Sequence, residues 1–174
     1  DEHGKTVYAG GDDFLGFVNL AHLFNVVGRL YCIFKLLRTE LTFSMSILKA
    51  HYKAPLHKVL DYSRELLQES KERFDDKNGV GVMVMSSNSI IAKTICRYED
   101  FKLLEGLQKS DTAKKLHFKL HTTFDYLGEM SYDEFLMQKA MIEVEIKRLM
   151  KRENGDFDKT TYDNLIKILN KQSI

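Results

Sequence analysis

The sequence has one proline, two cysteines and no tryptophan in 174 residues. One proline (Pro55) and 10 glycines exclude a collagenous or low-complexity chain. Cys32 and Cys96 lie far apart, match no paired-cysteine metal spacing, and each reads as a small buried apolar residue. The start, Asp1-Glu2-His3-Gly4-Lys5, lacks the basic end and apolar stretch of an export signal, so the reducing cytoplasm is the expected location. Long hydrophobic runs are also missing. The longest candidate, Val18 to Leu37, is broken by Asn19, His22, Asn25, Gly28, Arg29 and Lys35, and reads as a core helix rather than a membrane span. No charge sign dominates. With 26 Lys+Arg against 25 Asp+Glu the net charge is +1, which leaves only local patches for nucleic acid or an anionic membrane.

What is present is 44% hydrophobic and 29% charged residues, enough for one compact domain or one domain with a small appendage. Lys5 to Ala9 and Phe14 to Val18 are β-prone runs around Gly10-Gly11-Asp12-Asp13, the pattern of a hairpin. Leu20, Leu23, Phe24, Val27, Leu30, Tyr31, Phe34 and Leu37 repeat with helical spacing. A strand is expected over Leu41 to Tyr52. A helix is expected from Pro55 to about Arg73, stopped by Asp75-Asp-Lys-Asn-Gly79 with Gly79 as a left-handed cap. Val80 to Met85 reads as a strand covered on both faces, Ser86 to Ser89 as a turn, and Ile90 to Tyr98 as a returning strand. Beyond Glu99 the pattern is helical. Leu103, Leu104 and Leu107 mark one short helix, and Ser110-Asp-Thr112 caps a second bearing Leu116, Leu120, Phe124 and Leu127. Ser131-Tyr-Asp-Glu134 is a capping box opening a third, to about Lys151. Glu153-Asn-Gly-Asp156 reads as a turn before a fourth helix marked by Tyr162, Leu165, Ile166 and Leu169. The composition shift places a domain boundary between residues 98 and 99, in an α+β chain with no internal repeat.

Gly10-Gly11-Asp12-Asp13 at a hairpin tip has a definite chemical use. Adjacent carboxylates repel each other, and a divalent cation turns that cost into binding. Mg²⁺ prefers a few carboxylates together with substrate phosphate oxygens. A pair of such ions can activate an attacking hydroxyl and stabilise a leaving pyrophosphate. The glycines leave room for a triphosphate near the backbone. The bland alternative is a solvated turn, but average composition would place this tetrapeptide by chance in well under about 1% of chains this long.

Tyr8-Ala-Gly-Gly-Asp-Asp-Phe-Leu15 resembles the palm motif of the large subunit of type III CRISPR effector complexes, a family related to polymerase palms and nucleotide cyclases. Ser46-Ile-Leu-Lys-Ala-His-Tyr-Lys-Ala-Pro-Leu56 resembles its strand-to-helix signature, and Leu60 to Lys71 its amphipathic helix. Arg97-Tyr-Glu-Asp-Phe101 resembles the entry to its C-terminal helical domain; the likeness is specific in the first half and loose after about residue 101. The resemblance implies a partial ferredoxin-like palm, an antiparallel sheet with two helices over residues 1–98, followed by an all-α domain over 99–174. The family's first strand, which carries a further carboxylate or backbone ligand, and its first helix are expected to precede Asp1, so the chain is expected to be a catalytically incomplete piece of a longer protein. The resemblance further implies synthesis of cyclic oligoadenylates from ATP when target RNA binds. Carried over by position, Asp12 and Asp13 are the catalytic, metal-binding pair for Mg²⁺ or Mn²⁺, Gly10 and Gly11 border the nucleotide, and Lys53 contacts the triphosphate. The implied partners are other protein subunits of a ribonucleoprotein, with guide and target RNA reached through the complex.

Other signals carry less. His117 and His121 share a helix spacing without the further ligands that zinc needs. Asp156-Phe-Asp158 begins like a calcium loop, but no glycine stands at the sixth position and Lys167 falls where the bidentate glutamate belongs. Cys32 has no adjacent histidine to activate it. Lys114, Lys115, Lys119, Lys147, Arg148, Lys151 and Arg152 read as a solvated surface paired with acids such as Glu143 and Glu145, or as a contact to RNA phosphates.

Two classes of function remain open at this point. One is the ATP-dependent nucleotidyl cyclase; a diguanylate-cyclase-like enzyme is its nearest rival but prefers Glu where Asp13 stands and lacks the second signature. The other is a scaffold that docks neighbouring subunits through apolar residues such as Phe118, Tyr126, Tyr132, Phe135 and Met137, binding nucleotide without turnover.

Overall fold

A computed structural model of the chain describes residues 3–11, 13–37, 42–87, 89–110, 116, 119–120, 123, 131–154 and 158–171. The chain divides into two units, Asp1–Tyr98 and Glu99–Ile174. The first is α+β; the described residues of the second are helical apart from short connections.

The first unit opens with strands β1 (Gly4–Gly10) and β2 (Asp13–Val18), paired antiparallel from Gly4↔Val18 to Gly10↔Asp13 with a register shift between Thr6 and Tyr8. Asn19 ends the ladder twice over. Its N–H donates to the His3 carbonyl at 3.0 Å, and its side chain accepts from the Ala21 N–H at 3.0 Å. The cap starts a 3₁₀ turn (Leu20–His22) that runs into helix α1 (Leu23–Leu37), so the single helix expected from Leu20 begins with a tighter turn. Val27 is buried on α1, Tyr31 stacks on Tyr98 with centroids 3.5 Å apart, and Phe34 lies 4.8 Å from Phe43. That inward face leaves Cys32 exposed, against the expectation of a buried thiol, while Cys96 is half-buried.

Strand β3 (Met45–Ala50), helix α2 (Leu56–Glu72), and strands β4 (Gly79–Met85) and β5 (Ile90–Arg97) complete the unit. The three strands form one sheet in the order β3-β4-β5. A 17-residue helix brings the chain back to the same end, so β3 and β4 run parallel; the short Ser86–Ser89 turn makes β4 and β5 antiparallel. The Ser86 N–H donates to the Ser89 carbonyl at 2.9 Å, as expected of a turn. β3 is shorter than the strand expected over 41–52, because Ala54 N–H donates to the His51 carbonyl at 2.8 Å and closes a turn there. Leu66 on α2 is fully buried against Met83 and Met85.

Gly79 is not a left-handed cap. α2 ends at Arg73, whose N–H donates to the Glu69 carbonyl at 2.9 Å, and the left-handed residue is Lys77, at φ 49°. Gly79 begins β4 instead. A side chain there would run into the Ser70 carbonyl, and one at Gly81 would strike Ser70 Oγ and Leu66. These glycines answer to the close approach of α2 and β4.

The second unit contains helices α3 (Tyr98–Lys109, entered from the last residue of the first unit), α4 (Tyr132–Asn154) and α5 (Lys159–Lys171). Ser131 and Glu134 form the expected capping box: the Ser131 N–H and hydroxyl donate to Glu134 Oε2 at 2.9 and 2.8 Å. α4 runs on through Glu153 and Asn154, which were expected in a turn. Asp158 caps α5 by accepting the Thr161 N–H at 3.1 Å, and Thr161 and Ser110 hydroxyls meet at 2.6 Å. Leu116, Ile142, Ile146, Leu149, Met150 and Tyr162 make the core. His117, His121 and Asp156 lie outside the described residues. Among the described residues, no helix is long and apolar enough to cross a membrane.

Candidate nucleotidyl-transfer site

The hairpin tip positions three of the residues singled out in the sequence. Gly10 and Asp13 form the last pair of the β1–β2 ladder, so only Gly11 and Asp12 remain to reverse the chain. A two-residue reversal needs left-handed backbone. Gly11 supplies it at φ +62°, a conformation that costs an ordinary L-residue about 1–2 kcal/mol. Chain neighbours aside, no heavy atom of the described residues lies within 4 Å of where a Gly11 Cβ would be, so backbone angle and not crowding selects glycine there. Gly10 has the opposite reason. Its Cβ would come 2.8 Å from Tyr8 Oη, because residues 8 and 10 share one side of the strand and the phenol lies over position 10.

Asp13 is exposed at the first position of β2. Its carboxylate is a hard oxygen donor, and the open space around Gly11 leaves room beside it. Asp12 lies outside the described residues. Among the described residues, no three His, Cys, Asp or Glu side chains gather into a metal-holding group. Mg²⁺ needs no such group, since it is commonly held by one or two carboxylates with waters and substrate phosphates. The donor chemistry of the tip fits that ion.

Lys53 stands elsewhere, on the turn that leaves β3 for α2. Its N–H donates to His51 Nδ1 at 3.3 Å, and its ammonium lies 5.6 Å from the Tyr52 ring centre. The hairpin and this turn belong to separate sheets, so Gly10, Gly11 and Asp13 are brought together by one ladder and Lys53 is not part of it. Sequence reasoning missed Tyr8 as a tip residue. Its signal was the two-residue spacing to Gly10 on one strand face.

Residues 1–81 match the family model of the Cas10/Cmr2 second palm domain. The chain is similar to that family over this span. The matched span contains the hairpin, α1, β3, α2 and the Lys53 turn, so both sequence signatures fall within it. Cas10/Cmr2 is the large subunit of type III CRISPR effectors, multi-protein assemblies, and its palm is a nucleotidyltransferase-like fold. A comparison with curated proteins gives no match.

Proposed function

We propose that this chain carries the nucleotidyl-transfer hairpin of a type III effector and makes cyclic oligoadenylates from ATP when the complex holds target RNA. The observation that carries the reading is the Gly10–Asp13 pair, which closes the reversal and leaves Asp13, next in sequence to Asp12, exposed at the start of β2. Asp12 and Asp13 hold Mg²⁺ or Mn²⁺. The chemistry supplied by bound metal is activation of an attacking hydroxyl and stabilisation of the leaving pyrophosphate. The chain's own part is positional. Gly11 supplies the left-handed backbone of the reversal, Asp13 is exposed at the start of β2, and Gly10 keeps the strand's last position slim, so that a triphosphate can lie close to the backbone. O3′ of one ATP attacks the α-phosphorus of another and pyrophosphate leaves; the same transfer closes the ring. Lys53 is the further phosphate contact, reached from the second sheet.

The test is the doubly substituted protein, Asp12→Ala with Asp13→Ala, assembled with its partner subunits, guide and target RNA. Loss of oligoadenylate with assembly intact supports the enzyme. Undiminished product refutes it.

A docking role is favoured separately by α4. Leu136, Met137, Met141 and Val144 are exposed there, and Met137, Met141 and Val144 repeat along one helix side while Ile142, Ile146 and Leu149 face the core. Such a face suits a protein subunit of the assembly, and the two roles are compatible.

A further inference from the structure

The turn between β3 and α2 carries a cluster that the hairpin chemistry does not use. Tyr52 is 83% exposed, so its ring does nothing for the core. The His51 ring lies 4.5 Å from it at a tilt of 39°, and Lys53 Nζ approaches to 5.6 Å. The turn is held by Ala54 N–H on the His51 carbonyl and Lys53 N–H on His51 Nδ1. Lys49, His57 and Lys58 are exposed on the flanking strand and helix, and the first turn of α2 has no acidic residue.

An exposed ring with one ammonium near it and further lysines on the flanking strand and helix is the combination that nucleic acids and nucleotides use: a flat π face for a base, positive charge for its phosphate. A bare anion would need no ring, and an apolar peptide would gain nothing from the lysines. We propose that this turn binds a nucleotide unit, with its base stacked on Tyr52 and its phosphate held by Lys53, Lys49 and Lys58. The flexible Lys53 stem lets its ammonium pass from the ring to the phosphate. Free ATP and one residue of single-stranded RNA present the same base and phosphate. The proposal extends the phosphate role given to Lys53 above, and it holds whether or not the hairpin turns nucleotide over.

The test uses the fluorescent base 2-aminopurine, which stacking quenches, as a riboside triphosphate and within a short single-stranded RNA, each titrated onto the assembled complex. Quenching of the triphosphate alone assigns the turn to free nucleotide, and of the RNA alone to a strand. In either case Tyr52→Ala weakens the quenched binding about tenfold or more. Tyr52→Phe retains it, and Lys53→Ala lowers the salt dependence of binding. The melting temperature of Tyr52→Ala is expected to be unchanged, since the ring is exposed. Should that variant melt early, Tyr52→Phe against Tyr52→Leu makes the same comparison. Quenching that is equal in wild type and Tyr52→Ala, or lost in Tyr52→Phe, overturns the proposal. Neither result bears on the Asp12 and Asp13 variants, which read turnover.

Discussion

Gly10 stands directly opposite Asp13 as the last pair of the β1–β2 ladder. That pairing ties the placement of a chemically useful carboxylate to a backbone requirement two residues long. Change the reversal and the carboxylates move, although the strands below remain paired.

Gly11 is therefore a sensitive backbone position at the tip. Gly11→Val is expected to cost about 1–2 kcal/mol locally and to lower oligoadenylate synthesis strongly, because a β-branched residue resists φ near +62°. Gly11→Asn is expected to retain much more activity, since Asn tolerates left-handed backbone. Product formation by the two variants, with assembly checked, makes the comparison. Equal losses would mean that the angle is not what selects glycine.

The approach of α2 to β4 predicts a stability defect away from the site. Gly81→Ala forces its methyl against Ser70 Oγ and Leu66, and is expected to cost about 1–3 kcal/mol. Gly79→Ala meets the Ser70 carbonyl, which a rotamer change cannot move, and is expected to cost more. Chemical denaturation of both variants checks the order.

Much of this architecture was legible in the sequence, and the misses have physical causes. The hairpin was legible because β-prone runs flank residues that favour a reversal. The Ser131–Glu134 box was legible because capping depends on side chains three residues apart. Gly79 was misread because its demand is tertiary: only the nearness of Ser70 shows why glycine stands there. Cys32 looked buried by composition, yet the helical period turns it outward. Asp13 and Gly10 could be named from a motif. The Tyr8 phenol over Gly10 and the His51–Tyr52–Lys53 cluster required side-chain geometry.

In the helical unit, Thr161 is 3% exposed; its hydroxyl donates to Asp158 Oδ2 and shares a second hydrogen bond with the Ser110 hydroxyl, each at 2.6 Å. Thr161→Val keeps the shape and removes the hydroxyl, taking one hydrogen bond each from the Asp158 carboxylate and the Ser110 hydroxyl. A loss of about 1–3 kcal/mol is expected by thermal or chemical denaturation. A loss below about 0.5 kcal/mol would place the network outside the stability of this unit.

Glu134 has its carboxyl held below the ordinary range by the Ser131 backbone N–H first and the Ser131 hydroxyl second. A carboxyl depressed in the folded state stabilises above its unfolded pKa, and that contribution is lost as pH falls through the lower folded value. Stability of α4 is therefore expected to fall in acid, below about pH 4. Asp76, lowered chiefly by its hydrogen bond from Arg97, adds the same sign in the first unit. Glu134→Gln should flatten the acid side of the helical unit's stability profile, measured by far-ultraviolet dichroism. An unchanged profile would show that the cap does not titrate with folding.

The central claim is that the hairpin tip holds a divalent cation with nucleotide. Electron paramagnetic resonance of Mn²⁺ titrated into the assembled complex with ATP measures this directly. The account predicts tight, ATP-dependent Mn²⁺ binding that disappears when Asp12 and Asp13 are replaced by alanine. The same bound Mn²⁺ in wild type and doubly substituted complexes would contradict it.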